Sequence, residues 1–327
     1  MPSAPATKAE ELVAAGRAED AARLLFGGSA DRDADALFLR AMWRISGQIV
    51  RRDLAAARDL LRRAGEGGRR DAALLHAYFL ASGTGGAADW PVALSRLREL
   101  ARTTSDAAAQ LRLIEAMDID RDGRPMRLPD PVELSRSPAA LAFPALLSSA
   151  ECGHLRAAGA PRLQPSVVVD PASGRMVPHP VRTSSGMSFG VFDEDLVVNA
   201  VNRRIAAASR TELAQGEPLQ LLHYGPGHQY RAHMDALPAE PNQRILTMIC
   251  YLNDGYEGGE TRFLRTGLSF RGSAGDALLF RNVTSDGRPD PMAEHAGLPV
   301  KGGVKLLASR WIRQRTFVAP DPNQPVA

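Results

Sequence analysis

Along roughly the first 120 residues, apolar side chains recur at spacings of three and four, the period of amphipathic helices, in a background of alanine, leucine and arginine. A longer repeat runs through this pattern. Asp35-Ala36, Ala41, Ser46-Gly47, Asp53, Ala57 and Leu61 recur 36 positions later as Asp71-Ala72, Ala77, Ser82-Gly83, Asp89, Ala93 and Leu97. The Ala/Leu pair also stands 36 positions earlier, as Ala21 and Leu25. Each unit predicts two helices joined by a glycine turn, because Ser46-Gly47 and Ser82-Gly83 fall where a first helix should stop. Alanines at fixed positions let helices approach closely, and Leu39, Trp43, Leu75 and Phe79 fill the space between layers. Helix pairs with a period in the mid-thirties predict an α-solenoid of at most three units, the first degenerate.

This pattern breaks at residues 118–138. Asp118, Asp120, Asp122, Gly123, Pro125, Pro129 and Pro131 cannot continue a helix. The Asp-x-Asp-x-Asp-Gly run opens like a calcium loop, but such a loop closes on a glutamate where Pro129 stands, so the stretch reads as a linker. From Phe143 onward short apolar runs alternate with Gly and Pro turns, as in Leu219–Tyr224, Ile245–Leu252, Ala277–Phe280 and Val304–Ile312. Helical pattern intervenes near Ser148–Ala158 and Glu194–Ser209. Many short strands at regular spacing predict a sandwich or barrel. The predicted fold class is therefore α+β multidomain: solenoid-like helical repeats over 1–125, a linker over 126–140 with the boundary near 130, a β-rich domain over 141–317, and a C-terminal tail over 318–327.

Composition narrows the function classes. A length of 327 residues accommodates two domains, and 44% hydrophobic with 24% charged residues is an ordinary globular balance. The net charge of +3, from 40 basic and 37 acidic side chains, is too weak a field to imply a nucleic-acid partner. Two cysteines, Cys152 and Cys250, exclude a disulfide scaffold and a four-cysteine zinc site. No apolar run approaches the length of a membrane span, and the start lacks a basic segment followed by an apolar one, so no membrane partner is expected and cytoplasm is the expected location.

The candidate chemistry lies in the second half. His233-Met-Asp235 follows an apolar strand, and in extended chain positions i and i+2 face the same way, so this His and Asp can hold one ion. His295 is the natural third ligand. Two imidazoles and one carboxylate form the facial triad of non-haem Fe(II) oxygenases, which leaves positions open for a co-substrate and O2. Lys305 stands ten residues after His295 and is one of only three lysines in the chain. An iron-chelating dicarboxylate needs a cation for its far end, and a lysine in the apolar run Val304–Ile312 supplies one. Lys305, Leu307, Ser309 and Trp311 share one face of that strand.

At this point the residues carry a family resemblance. His223-Tyr-Gly-Pro-Gly-His-Gln-Tyr-Arg-Ala-His-Met-Asp235 resembles the iron-binding segment of the prolyl 4-hydroxylase-like 2-oxoglutarate oxygenases. Arg244 to Asp254, Gly258-Gly-Glu-Thr261, Gly275 to Phe280, the Asp286–Asp290 loop, His295 to Val300 and Lys305 complete the set in order, with Arg182-Thr-Ser-Ser-Gly186 upstream. The likeness spans about residues 140–317, and the helical half is similar to Sel1-like and tetratricopeptide repeats. The resemblance implies a double-stranded β-helix, a squashed jelly-roll with iron at one mouth. It also implies Fe(II), 2-oxoglutarate and O2 as co-reactants, with ascorbate as a further candidate. Carried across residue by residue, His233, Asp235 and His295 would bind Fe(II), and Lys305 would pair with the far carboxylate of 2-oxoglutarate. Tyr224 and Thr247 would stand near the co-substrate, with Tyr251 on the same strand face as Thr247. Tyr230, Arg244 and Trp311 would line the substrate pocket. Two positions depart from the family pattern: Arg313 stands where proline-hydroxylating members usually carry His, and Leu306 where an aromatic often follows the lysine. Both bear on the substrate, not on iron or 2-oxoglutarate.

The implied activity is hydroxylation of a peptide or protein side chain, with prolyl the leading candidate, while 2-oxoglutarate is converted to succinate and CO2. The helical repeats motivate a macromolecular substrate or a protein partner. The alternatives are a hydroxylase of a free amino acid or small metabolite, and a non-catalytic solenoid adaptor. The intact His233, Asp235, His295 and Lys305 speak against the adaptor.

Overall fold

The structure is a computed structural model that describes residues 2–28, 30–169, 176–178 and 181–319, with the backbone alone at 168, 169 and 176–178. Most of the tail expected over 318–327 lies outside the described residues. The chain divides into two compact units, one built on Met1–Gly123 with Glu194–Asn199, the other on Arg124–Asp193 and Ala200–Val318.

Among the described residues, the Met1–Gly123 part of the first unit holds seven helices: α1 (Ala4–Ala14), α2 (Ala18–Phe26), α3 (Ala34–Ser46), α4 (Leu54–Glu66), α5 (Arg70–Ser82), α6 (Trp90–Ala101) and α7 (Ser105–Ala116). The 36-residue period reappears in their boundaries, since α3 and α5 begin and end 36 residues apart and α4 and α6 begin 36 apart. Each element of the repeat has a physical reason. Gly47 and Gly83 close α3 and α5 in the left-handed region, with φ of 71° and 77°, where a Cβ would be strained. Asp53 and Asp89 cap α4 and α6 by accepting from the Ala56 and Val92 amides at 2.9 and 3.1 Å. Ala36 and Ala72, Ala41 and Ala77, Ala57 and Ala93, Leu61 and Leu97 are all fully buried, as are Ala21 and Leu25 of the degenerate unit. These are therefore the contact positions of stacked helices, and burying each leucine contributes about 1.5–3 kcal/mol.

Along the chain after α7 come β1 (Val132–Arg136), β2 (Ala139–Phe143), α8 (Ser149–Gly159), β3 (Gln164–Pro165), β4 (Val167–Val169), β5 (Met176–Pro178), β6 (Ser185–Ser188), α9 (Leu196–Ser209) and β7 (Gln220–Tyr224). There follow β8 (Tyr230–His233), β9 (Arg244–Tyr251), β10 (Glu257–Gly258), β11 (Thr261–Phe263), β12 (Ser269–Phe270), β13 (Ala277–Arg281), β14 (His295–Gly297), β15 (Val300–Gly302) and β16 (Lys305–Arg313). A major sheet runs in the order β1-β2-β13-β9-β16-β7-β6-β3, and a minor sheet in the order β12-β11-β14-β8. Tyr224, Ile249, Tyr251, Phe280 and Leu307 of the first pack with Phe263 of the second in one buried cluster. This is the double-stranded β-helix that the motifs implied. None of the described helices is long and apolar enough to cross a membrane.

Residues 126–140 differ from the expected linker. Val132–Arg136 and Ala139–Phe143 pair as an antiparallel hairpin, and β2 continues the major sheet by pairing with β13. The prolines that read as interruption flank the strands. Pro129 and Pro131 precede β1, Pro138 lies in the turn, and β1 is an edge strand, the place where a sheet tolerates proline.

Candidate active site

The site lies between the two sheets. Strand β8 ends on His233 and β14 begins on His295, and the two are register partners across the antiparallel pair. Asp235 follows two residues after His233. The ligand atoms of the three converge within 4.8 Å, with His233 Nε2 3.6 Å and His295 Nε2 3.8 Å from the carboxylate oxygens of Asp235. Each imidazole is oriented from behind: Nδ1 of His233 lies 2.7 Å from the Arg231 carbonyl, and Nδ1 of His295 2.9 Å from the Ala293 carbonyl. A carbonyl only accepts, so each Nδ1 carries the proton and each Nε2 presents its lone pair to the centre. Burial, with the His295 ring beside it, pushes the His233 imidazole down to about 4, which keeps it neutral at physiological pH.

Asp235 is aimed by neighbours. The Thr247 hydroxyl donates to its Oδ2 at 2.6 Å, and the Asn282 side-chain amide donates to the Thr247 oxygen at 2.9 Å. Burial alone would raise this carboxyl, but the His295 and His233 rings, the Thr247 hydroxyl and Trp311 outweigh it and hold it below the usual range. Tyr230 stacks on the outer face of His233, with ring centroids 3.5 Å apart.

Lys305 opens β16 and reaches the same cavity at 2% exposure. Its ammonium donates to the Gly259 carbonyl, faces the Tyr224 and Tyr251 rings at 5.4 and 5.7 Å, and makes no ion pair with a described residue. Gly259 makes room for it, because a Cβ there would lie 3.1 Å from the Lys305 stem. Burial pulls the Lys305 amine down to about 8 against the weak attraction of Glu260. A buried cation without a counter-ion is the condition a dicarboxylate would relieve. Two imidazoles and a carboxylate on one side of a cavity and an unpaired ammonium on the other fit Fe(II) and 2-oxoglutarate. Trp311 lines the same cavity, and its indole N–H helps hold the Asp235 carboxyl down.

The cavity brings together His233, Asp235, His295, Lys305, Tyr224, Thr247, Tyr230 and Trp311. Tyr251 stands behind this wall, fully buried, its hydroxyl 3.1 Å from that of Thr261, which does line the cavity. Arg244 and Arg313, expected in the substrate pocket, are not among the lining residues. Both are drawn to one buried carboxylate: Glu217 accepts from Arg244 Nε at 2.6 Å and Nη2 at 3.0 Å, and from Arg313 Nε at 2.6 Å. From there Arg244 lies over the Trp311 ring at 3.7 Å. Glu217 carries no motif, and its partners are 27 and 96 residues away, so sequence reading missed it. Arg182, Leu222, Ile249 and Thr261 also line the cavity. For Ile249 a signal existed in the alternation of β9, where it shares a face with Thr247.

Comparison with known proteins agrees with this geometry. The profile of the 2OG-Fe(II) oxygenase superfamily matches residues 219–313. Prolyl 4-hydroxylase 1 of Arabidopsis thaliana is 35% identical over 226 residues, covering 63% of this chain and 80% of that protein. Prolyl 4-hydroxylase 5 of the same plant is 33% identical over 238 residues, covering 65% and 81%. Among solved structures, the viral collagen prolyl hydroxylase of Paramecium Bursaria Chlorella virus-1 is 24% identical, covers 53% of this chain and 95% of its own, and superposes with a TM-score of 0.43. A Sel1 repeat protein from Oxalobacter formigenes is 21% identical and covers 34% of this chain and 45% of its own, with a TM-score of 0.31. With a matching oxygenase profile and curated relatives covered over four-fifths of their length, the chain belongs to the prolyl 4-hydroxylase family of 2OG-Fe(II) oxygenases.

Proposed function

We propose that the chain hydroxylates a prolyl residue of a peptide or protein, with Fe(II) held by His233, Asp235 and His295 and 2-oxoglutarate anchored by Lys305. The observation that carries this reading is the pairing, in one cavity, of three converging ligand atoms with a buried ammonium that has no counter-ion among the described residues. Bound there, Fe(II) with 2-oxoglutarate and O2 would supply the oxidising power for C–H hydroxylation, the overall products being the hydroxylated side chain, succinate and CO2. The chain's own residues do the rest. Lys305 fixes one end of the co-substrate, and Tyr224, whose phenol burial pushes up to about 12, stays a neutral hydroxyl beside it. Thr247 holds the orientation of Asp235. Tyr230 and Trp311 form aromatic walls that suit a pyrrolidine ring, and Arg244, clamped by Glu217, braces the Trp311 indole from behind.

Thr247→Val removes the side-chain hydroxyl that donates to Asp235 while keeping the shape of the side chain. Because partners one step behind a metal ligand are worth about 10–100-fold, Fe(II) affinity measured by titration should fall by that factor with folding intact.

The activity is tested by incubating the full chain with Fe(II), 2-oxoglutarate, O2 and a peptide containing one proline, with and without ascorbate, and reading peptide mass. Gain of one oxygen atom on the proline peptide, and none on its alanine counterpart, is expected. Oxygen transfer to free proline alone would overturn the peptide reading in favour of a metabolite hydroxylase.

A further inference from the structure

The helical-repeat unit has a cavity of its own, of about 190 Å³, lined by α4, α5 and α6. Its apolar part is Gly65, Ala73 and Leu100, and it is tight: a Cβ on Gly65 would lie 3.0 Å from that of Ala73. Around it stand Arg62 and Glu66 of α4, Arg96 and Glu99 of α6, and His76 of α5.

His76 is the unusual member. It is 7% exposed, lines the cavity, and makes no hydrogen bond to any described residue. With no partner in the described protein, its imidazole N–H is left to bond whatever fills the cavity, water included. The charges about it are unevenly committed. Arg62 is held twice, by Asp59 at 2.6 Å and Glu66 at 2.7 Å. Among the described residues Arg96 has only Glu99 at 3.8 Å, beyond hydrogen-bond distance, and its side chain is half-exposed. Arg58 of α4 contributes a third guanidinium to the surroundings. Burial first, then Arg96, Arg58 and Arg62, push the His76 imidazole down to about 4 against the opposing pull of Glu66.

We propose that this cavity binds the side-chain carboxylate of an aspartate or glutamate of a peptide, with Arg96 as its ion-pair partner and His76 as a hydrogen-bond donor. A neutral imidazole offers one N–H, and the loosely held guanidinium offers a two-pronged donor to the same acceptor. The volume equals roughly six water molecules, room for one acidic side chain and residual water. The apolar patch of Gly65, Ala73 and Leu100 takes the methylene stem, which an inorganic anion lacks. This site belongs to the repeat unit alone and does not depend on the hydroxylase reading.

The test uses the ¹⁵N-labelled full chain, with the His76 imidazole followed by nuclear magnetic resonance. Three probes are compared: a capped alanine peptide with one central glutamate, the same peptide with glutamine, and sodium acetate. The glutamate peptide should move the His76 signals and raise its protonation constant about tenfold or more, because an adjacent carboxylate favours the imidazolium. Arg96→Gln, a change at a half-exposed position, should weaken that binding about tenfold or more. His76→Gln, which keeps a donor, should retain binding better than His76→Leu. Equal shifts with the glutamine peptide, none with any probe, or unchanged affinity in Arg96→Gln would overturn the proposal. Acetate matching the glutamate peptide at the same concentration would overturn the peptide as occupant.

Discussion

Asp235→Ala leaves two imidazoles facing each other without the carboxylate between them, and Fe(II) binding with substrate-coupled consumption of 2-oxoglutarate should both fall by more than about a hundredfold. The size follows from position. Partners behind a metal ligand are already worth about 10–100-fold, and Asp235 is the only anionic member of the cluster. The loss should be specific to the site. Asp235 is 5% exposed, and its attractions are to His295, His233, Thr247 and Trp311, so its removal relieves a buried charge rather than opening the barrel core. Anaerobic titration with Fe(II) measures the first effect, and succinate release the second. Normal iron binding in Asp235→Ala would remove the triad assignment altogether.

Lys305→Ala should weaken 2-oxoglutarate by about 30-fold or more, the loss that follows when one partner of a buried charge pair is truncated. The same lysine sets a pH dependence whose sign can be worked out. In the free site burial holds the amine near 8, and a bound carboxylate favours the charged form, so binding raises the value. Below pH 8 the lysine is protonated in both states and affinity is flat. Above pH 8 the free site has lost the proton that the complex requires, and affinity falls, by about tenfold per unit at the limit. Binding isotherms of 2-oxoglutarate between neutral and alkaline pH check this, and the alkaline decline should vanish in Lys305→Ala. An affinity that rises with pH would show that Lys305 does not face the co-substrate.

Much of this was legible in the chain because it is local. The 36-residue period was carried by alanines and leucines whose burial the structure repeats position by position, and by Ser-Gly and Asp positions that became caps. His233, Asp235, His295 and Lys305 stood out because their chemistry is uncommon in apolar strands, and they meet in one cavity. What escaped is what depends on distant partners. The hairpin at 132–143 is defined by its pairing with β13, more than a hundred residues on, and its prolines concealed it. Arg244 and Arg313 looked like pocket residues as single side chains, but a glutamate 27 and 96 residues before them takes both.

The identical spacing of α3 with α5 and α4 with α6 also makes the helical unit a ruler graduated in steps of 36 residues. Whole graduations can be copied or excised with the spliced ends meeting at equivalent ticks, cap against cap and alanine seam against alanine seam. An insertion of any other length would rotate a polar face into a seam. The length of this half of the molecule is therefore adjustable in discrete quanta, independently of the chemistry carried by the barrel.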